Sequence, residues 1–377
     1  MPANNRLPGR LTLVISSLEA GGAERSLALL ANRWADQGRR VAILTFDDGS
    51  RRPFYALRPA IERRPLALTS RSASAPAALI RNAVRVRQLR RALHETRPEA
   101  IISFMDRVNI LTLLAARSLE APVVASEFVD PTLYRLGWCW ETARRRTYPL
   151  ADAIVVQTAS IARRFPAALA SKIEVIASPV APPPEAAASA APSNTILGMG
   201  RLVRQKGFDL LLEAFSRLAP RRPEWRLEIV GEGPERPALE SLAGKLGVDG
   251  RVSMPGLTDS PFDRFRAARI FALPSRYEGI PNVLCEAMAC GLAVVAADCP
   301  GGPRDVVRDG VDGLLVPPED PNALASALDG LIEDPGRRER FGREAVSVLQ
   351  RFALDAIGLR WDDLLSRLSA ARGRAAP

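Results

Sequence analysis

Short runs of aliphatic and β-branched residues recur along this chain, separated by stretches of helical periodicity. They are LTLVIS from residue 11, VAILTF from 41, AIISF from 100, PVVAS from 122, AIVVQ from 153 and IEVIA from 173. After a break they resume as TILGMG from 195, RLEIVG from 226, RVSMPG from 251, RIFALPS from 269, LAVVAA from 292 and GLLVPP from 313. Strands that are apolar throughout, rather than alternately, need cover on both faces, and helices between them supply it; the pattern predicts parallel, doubly wound α/β sheets. The break, PVAPPPEAAASAAPS at 179–193, is too rich in proline and alanine for a strand and reads as a linker. The expectation is two Rossmann-like domains facing across a cleft: 1–180, a linker at 181–193, and 194–352. The helical stretch FALDAIGLRWDDLLSRL, within 353–371, is expected to complete the first domain. In such folds ligands bind outside the carboxyl ends of the strands.

A chain of 377 residues with 47% hydrophobic content is long for one core, which agrees with two. No stretch of about twenty apolar residues is present, and the initial segment suits a first strand better than a signal peptide, so a cytoplasmic protein is expected. The four cysteines, Cys139, Cys285, Cys290 and Cys299, show no CxxC spacing, and His94 is the single histidine; reduced thiols and no metal site follow. Charge is uneven. Residues 1–180 carry 27 Lys and Arg against 15 Asp and Glu, whereas 181–377 carry 25 against 27. The basic half could meet nucleic acid, anionic lipid or a phosphorylated substrate.

Two segments carry chemistry. TILGMG runs into RLVRQKGFDLLLEAF, where a helix is expected to begin near Lys206 or Gly207, so Arg201 and Lys206 fall between a strand's carboxyl end and a helix start. Helix starts offer unpaired N–H groups and partial positive charge, and two cations there suit a diphosphate; two solvated surface charges are the alternative. The second segment is YEGIPNVLCEAMACG at 277–291. Glu278 lies in the loop after RIFALPS. Glu286 falls inside an apolar helix, where an unpaired carboxylate costs several kcal/mol, so it needs either an arginine partner or a pair of sugar hydroxyls. The backbone N–H groups of Gly279, Ile280, Asn282 and Val283 could receive a phosphate, whereas Pro281 has none.

GRLVRQKGFDLLLEAF, IVGEGP at 229, PSRYEGIPNVLCEAMACGLAVVAADCPGGPRDVV and DGLLVPPED together resemble the carboxyl-terminal domain of retaining glycosyltransferases of family four, which have the GT-B fold. LEAGGAERSLALLANRWADQGRRVAILTF and SFMDRVNI resemble that family's acceptor domain; the likeness runs from about residue 11 to 350. The resemblance implies diphosphate binding by Arg201 and Lys206, contact of Glu278 with the transferred sugar, a ribose on Glu286 and backbone phosphate contacts from Gly279 to Val283. It also implies close approach of the loop at Gly21 and Gly22, and a base pocket near Leu257 and Thr258. It implies transfer from a UDP-sugar with retention of configuration and no metal, with which the absence of any Asp-x-Asp pair agrees. No cofactor beyond the UDP-sugar co-substrate is expected.

After PVVAS many relatives have a histidine near the reaction centre; this chain reads SEFVDP there, and Glu127 is the side chain nominated for catalysis, against the alternative of a capping or surface acid. Asp106, Arg107 and Asn109 in SFMDRVNI could line the acceptor cleft, or simply cap a helix. LIRNAVRVRQLRRAL at 79–93 places Leu79, Ala83, Val86 and Leu93 at helical spacing with Arg81, Arg85, Arg87, Arg90 and Arg91 between them. With Arg144, Arg145 and Arg146 it could rest on the anionic inner face of a membrane, as suits a polyprenyl-diphosphate-linked acceptor; a core-facing helix with a solvated basic face is the alternative. The resemblance points to hexose or N-acetylhexosamine transfer in surface polysaccharide assembly. A non-catalytic nucleotide-sugar-binding subunit is the rival. A nucleic-acid partner is disfavoured, because aromatic residues make up only 6% of the chain and stacking platforms need them.

Overall fold

The computed structural model describes residues 7–69, 75–133, 136–185 and 192–375; part of the expected linker, 186–191, lies outside the described residues. The chain divides into two units, Met1–Pro179 with Leu354–Pro377, and Val180–Ala353. The first holds a parallel sheet of β1 (Arg10–Ile15), β2 (Arg40–Thr45), β3 (Glu62–Pro65), β4 (Ala100–Phe104), β5 (Val123–Glu127), β6 (Ala153–Val156) and β7 (Ile173–Val175), in the order β3-β2-β1-β4-β5-β6-β7. The second holds β8 (Thr195–Met199), β9 (Arg226–Val230), β10 (Val252–Gly256), β11 (Ile270–Leu273), β12 (Ala293–Ala297) and β13 (Leu314–Val316), in the order β10-β9-β8-β11-β12-β13. Both are doubly wound α/β sheets.

Each apolar run read from the sequence forms a strand, and β4, β5, β6 and β12 are buried at every position because helices cover both faces. The sequence reading missed β3. Its residues, ERRP, are mostly exposed at the sheet edge, so no apolar pattern marks them.

In each sheet the strand order reverses once, between β1 and β4 and between β8 and β11. Neighbouring strands lead their connections to opposite faces at that point, which opens a crevice at their carboxyl ends. The loops after β1, β4, β8 and β11 are therefore the places where the topology favours ligands.

The helix Leu354–Ala375 belongs to the first unit. Its Asp362 carboxylate accepts from Arg33 Nη1 at 2.7 Å, Arg39 Nη2 at 2.7 Å and Trp34 Nε1 at 3.0 Å, and Trp361 meets Trp34 edge to face with centroids 6.3 Å apart. Both guanidinium groups and the carboxylate are buried; Arg39 is neutralised by Asp362, and Arg33 by Asp362 with a longer contact of 3.4 Å to the exposed Asp355. Asp362→Ala is expected to destabilise the protein by about 3–5 kcal/mol, as removal of one partner from a buried ion pair does. Chemical denaturation followed by tryptophan fluorescence checks this; a loss below about 1 kcal/mol would show that the helix docks by its apolar face alone.

Candidate functional site

The loop leaving β8 and the loop leaving β11 meet side by side. A single 3-10 turn, Arg204–Lys206, precedes Gly207, and the helix follows as Phe208–Leu218, slightly later than the sequence reading placed it. Gly207 has φ of 67°, in the left-handed region, and a methyl group there would lie 2.1 Å from the carbonyl oxygen of Pro274. Only glycine permits this approach. Two further hydrogen bonds join the loops: Arg276 N donates to Gln205 O at 2.8 Å and Gln205 Nε2 to Tyr277 O at 3.0 Å.

This contact brings Lys206 and Glu278 together. Lys206 Nζ lies 2.6 Å from Glu278 Oε1, which also accepts from Ser275 Oγ at 2.6 Å. Both partners are largely buried, with side-chain exposures of 14% and 6%. The pair thus gains from low dielectric, and the second bond, from Ser275, helps to offset desolvation. Glu278 is fixed from behind by its own N–H, bonded to Pro300 O at 3.0 Å, and by Gly301, where a methyl group would lie 1.8 Å from Glu278 O. Cys299 is buried beside them. Burial and the Glu278 charge push its thiol up to about 12, which keeps it unreactive.

Arg201 is exposed beyond the end of β8. The helix Asn282–Ala289 starts after Pro281, so its first amides precede any acceptor of its own helix, and Gly279, Ile280, Asn282 and Val283 stand at that start. Glu286, one turn further along, is 7% exposed. Leu257, expected at a base pocket, is 71% exposed, and Thr258 Oγ1 accepts from Ser260 N at 3.1 Å. Ser275, Gln205 and Arg276 escaped the sequence reading because a polar residue in a loop looks the same whether it faces a partner or water.

In the first unit, Gly21 is the residue before the helix Gly22–Asp36, beyond β1. Asp106 opens the helix Asp106–Ala115 beyond β4; burial raises its pKa, against the lowering by the Arg107 backbone N–H. Two expectations need correction here. Asn109 is fully buried and donates to Ser126 O at 3.0 Å and to Tyr148 Oη at 3.3 Å, so it supports the fold instead of lining a cleft. Glu127 is neither a capping nor a surface acid. It is the last residue of β5, 2% exposed, and accepts a hydrogen bond from Tyr148 Oη. Burial, and then the neighbouring Asp106 carboxylate, push it up to about 8, against the lowering by Tyr148, Arg144 and the Phe128 N–H. A carboxyl held neutral and enclosed is poorly suited to take a proton from an acceptor near pH 7.

The basic helix Ala75–Thr96 follows the core-facing alternative in part. Among its described side chains Leu89, Ala92 and Leu93 are buried in the core and Val86 packs against it, whereas Ala83 is exposed; the side chains of 75–79, Leu79 among them, lie outside the described residues. Arg85 donates to Leu68 O and Arg90 to Ala115 O and Leu114 O, and Arg144 is paired with Glu141. Arg87, Arg91, Arg145 and Arg146 remain exposed, as do Ile80 at 69% and Trp138 at 81%.

Residues 183–348 match the family described as glycosyl transferases group 1, and residues 20–182 match glycosyltransferase family 4. The chain belongs to the family-four glycosyltransferases. It is 27% identical to an α-1,4-N-acetyl-D-galactosaminyltransferase of Campylobacter jejuni, over 96% of this chain and 99% of that protein. That enzyme's name gives an undecaprenol-diphosphate-linked acceptor. A match at 37% identity to an exopolysaccharide phosphotransferase of Streptomyces coelicolor spans 48% of this chain but only 19% of that protein. Among solved structures, Anabaena HepE in complex with UDP superposes with a TM-score of 0.73 at 21% identity, covering 95% of this chain and 100% of that one. The fold of the family-four protein is therefore GT-B.

The neutral state of Glu127 sets a pH dependence. In the unfolded chain the group ionises near the ordinary value of 4.5, in the folded chain near 8, so folding takes up a proton between those values. Stability from this site is full below about pH 4.5 and is lost as pH rises toward 8, by at most about 1.4 kcal/mol per pH unit. Glu127→Gln, which cannot ionise, is expected to gain melting temperature relative to the parent as pH rises from 5 to 8. A difference between the two proteins that is constant across that range would show Glu127 to be ionised in the fold.

Proposed function

We propose that this glycosyltransferase moves a hexose or N-acetylhexosamine from a UDP-sugar to a lipid-linked glycan acceptor in surface polysaccharide assembly, with retention and without a metal. The observation that carries this reading is the meeting of Lys206 and Glu278 at the point where the second sheet reverses its strand order, with Arg201 and a helix start beside them. Cations and helix-start amides stabilise a leaving diphosphate, while a carboxylate can orient sugar hydroxyls. The name of the Campylobacter relative supports the lipid-linked acceptor, and the HepE complex supports UDP.

In this mechanism the bond between the sugar's anomeric carbon and the diphosphate oxygen breaks, and a bond to the acceptor oxygen forms on the same face. The acceptor's proton passes to the leaving phosphate oxygen. Arg201 and Lys206 hold the charge that develops on the diphosphate. Lys206 is shared with Glu278 until the nucleotide arrives, so its ammonium is already aimed. Glu278 then serves the sugar hydroxyls and Glu286 the ribose.

Among the described residues no helix is long and apolar enough to cross a membrane. We assign membrane attraction to the exposed side chains of Ile80, Arg87, Arg91, Trp138, Arg145 and Arg146, which combine apolar and cationic surface. Salt-sensitive flotation with anionic liposomes that weakens in Trp138→Ser is the expected result; indifference to anionic liposomes at low salt would remove the lipid part.

Calorimetry in EDTA with UDP, several UDP-sugars and GDP-mannose tests the donor site. One UDP-sugar is expected to bind, and Glu286→Ala to lose about tenfold or more of its affinity. Proton NMR of the product is expected to show an α linkage from an α-linked donor. Binding without turnover on any lipid-linked acceptor would favour a non-catalytic subunit.

A further inference from the structure

Nothing above assigns a task to Arg276, yet its guanidinium bonds three segments around the donor site. Nη1 and Nη2 donate to Asp209 Oδ1 and Oδ2 at 2.9 and 2.7 Å, Nη1 also to Arg204 O at 2.8 Å, and Nε to Glu319 Oε1 at 2.9 Å. The side chain is 13% exposed. Asp209 lies in the first turn of the helix Phe208–Leu218, Arg204 in the turn that carries Lys206, and Glu319 just before the helix Pro321–Glu333.

This is more than a surface ion pair. A planar fork bonded at both ends fixes direction as well as distance, which an ammonium cannot do. Glu319 has φ of 56°, a left-handed conformation unfavourable for a non-glycine residue, and its carboxylate contacts Arg276. Burial of Asp209 would raise its pKa, but the hydrogen bonds and charge of Arg276 outweigh that and lower it. The backbone of the same residue supplies the N–H that reaches Gln205 O, so Arg276 meets the β8 loop through main chain and side chain together.

We propose that Arg276 is a positioning residue for the donor site: its fork sets the register between the loops leaving β8 and β11 and thereby holds Lys206 against Glu278. The inference rests on the nucleotide-sugar reading for its effect on function, but the register itself is a property of the chain. A residue of this kind acts through Lys206, and small displacements of a charged group at a reacting centre can cost about 100-fold in rate.

The test uses the full-length protein as Arg276→Met and Arg276→Lys, with two readouts: hydrogen exchange and UDP affinity by calorimetry. In Arg276→Met, exchange is expected to accelerate in residues 201–208 and 274–280 while the remainder stays within about twofold of the parent. UDP affinity per folded molecule should fall about 10- to 100-fold, with only partial recovery in Arg276→Lys, because a point charge cannot bridge both carboxylates. If Arg276→Met fails to fold, Asp209→Asn, which weakens the fork and keeps the arginine, is expected to shift both readouts in the same direction by a smaller factor. Unchanged UDP affinity together with uniformly faster exchange would overturn the proposal, since that is the signature of a role in stability alone. Failure of the parent protein to bind UDP would count against the nucleotide reading separately; local acceleration of exchange would still support the register and uniform acceleration would overturn it.

Discussion

An ammonium and a carboxylate in contact, largely removed from water, organise the second unit's site. Lys206 and Glu278 come from loops seventy-two residues apart in sequence, and each would be costly to bury alone. Their meeting depends on features that make no sense singly: the glycine at 207 that lets one backbone press on another, the serine at 275 that adds a hydrogen bond, and the glycine at 301 that backs the Glu278 loop. The sheet provides the setting. Because strand order reverses between β8 and β11, their carboxyl ends open toward the same crevice, and the loops that leave them carry the charges.

The first unit solves a different problem, one strand beyond its own point of reversal. At the end of β5 it buries a glutamate, holds it neutral and ties it to a tyrosine that also meets Asn109. Where the family resemblance led us to expect a histidine, this chain has an enclosed carboxyl group. The proposed mechanism accordingly gives the acceptor's proton to the leaving phosphate and none to Glu127.

Much of this was legible in the sequence. Apolar runs marked the strands, most plainly β4, β5, β6 and β12, where burial on both faces leaves no alternation to misread. The places of Arg201, Lys206, Glu278 and Glu286 relative to strand ends and helix starts were legible too. What stayed hidden was pairing across the chain. The edge strand ERRP carries no apolar signal; Ser275 and Arg276 look like ordinary loop residues; and the enclosure of Glu127 depends on Tyr148, which lies twenty-one residues away on another element. The basic helix shows the same limit from the other side, since arginines counted as free surface charge turned out in part to cap carbonyl groups.

The most direct measurement of the central claim is a crystal structure of the full chain with UDP bound. The account predicts the diphosphate within hydrogen-bond distance of Arg201 and Lys206 at the start of the helix Asn282–Ala289, with both ribose hydroxyls on Glu286. A nucleotide held elsewhere, with Lys206 still closed on Glu278 and Glu286 away from the ribose, would contradict it.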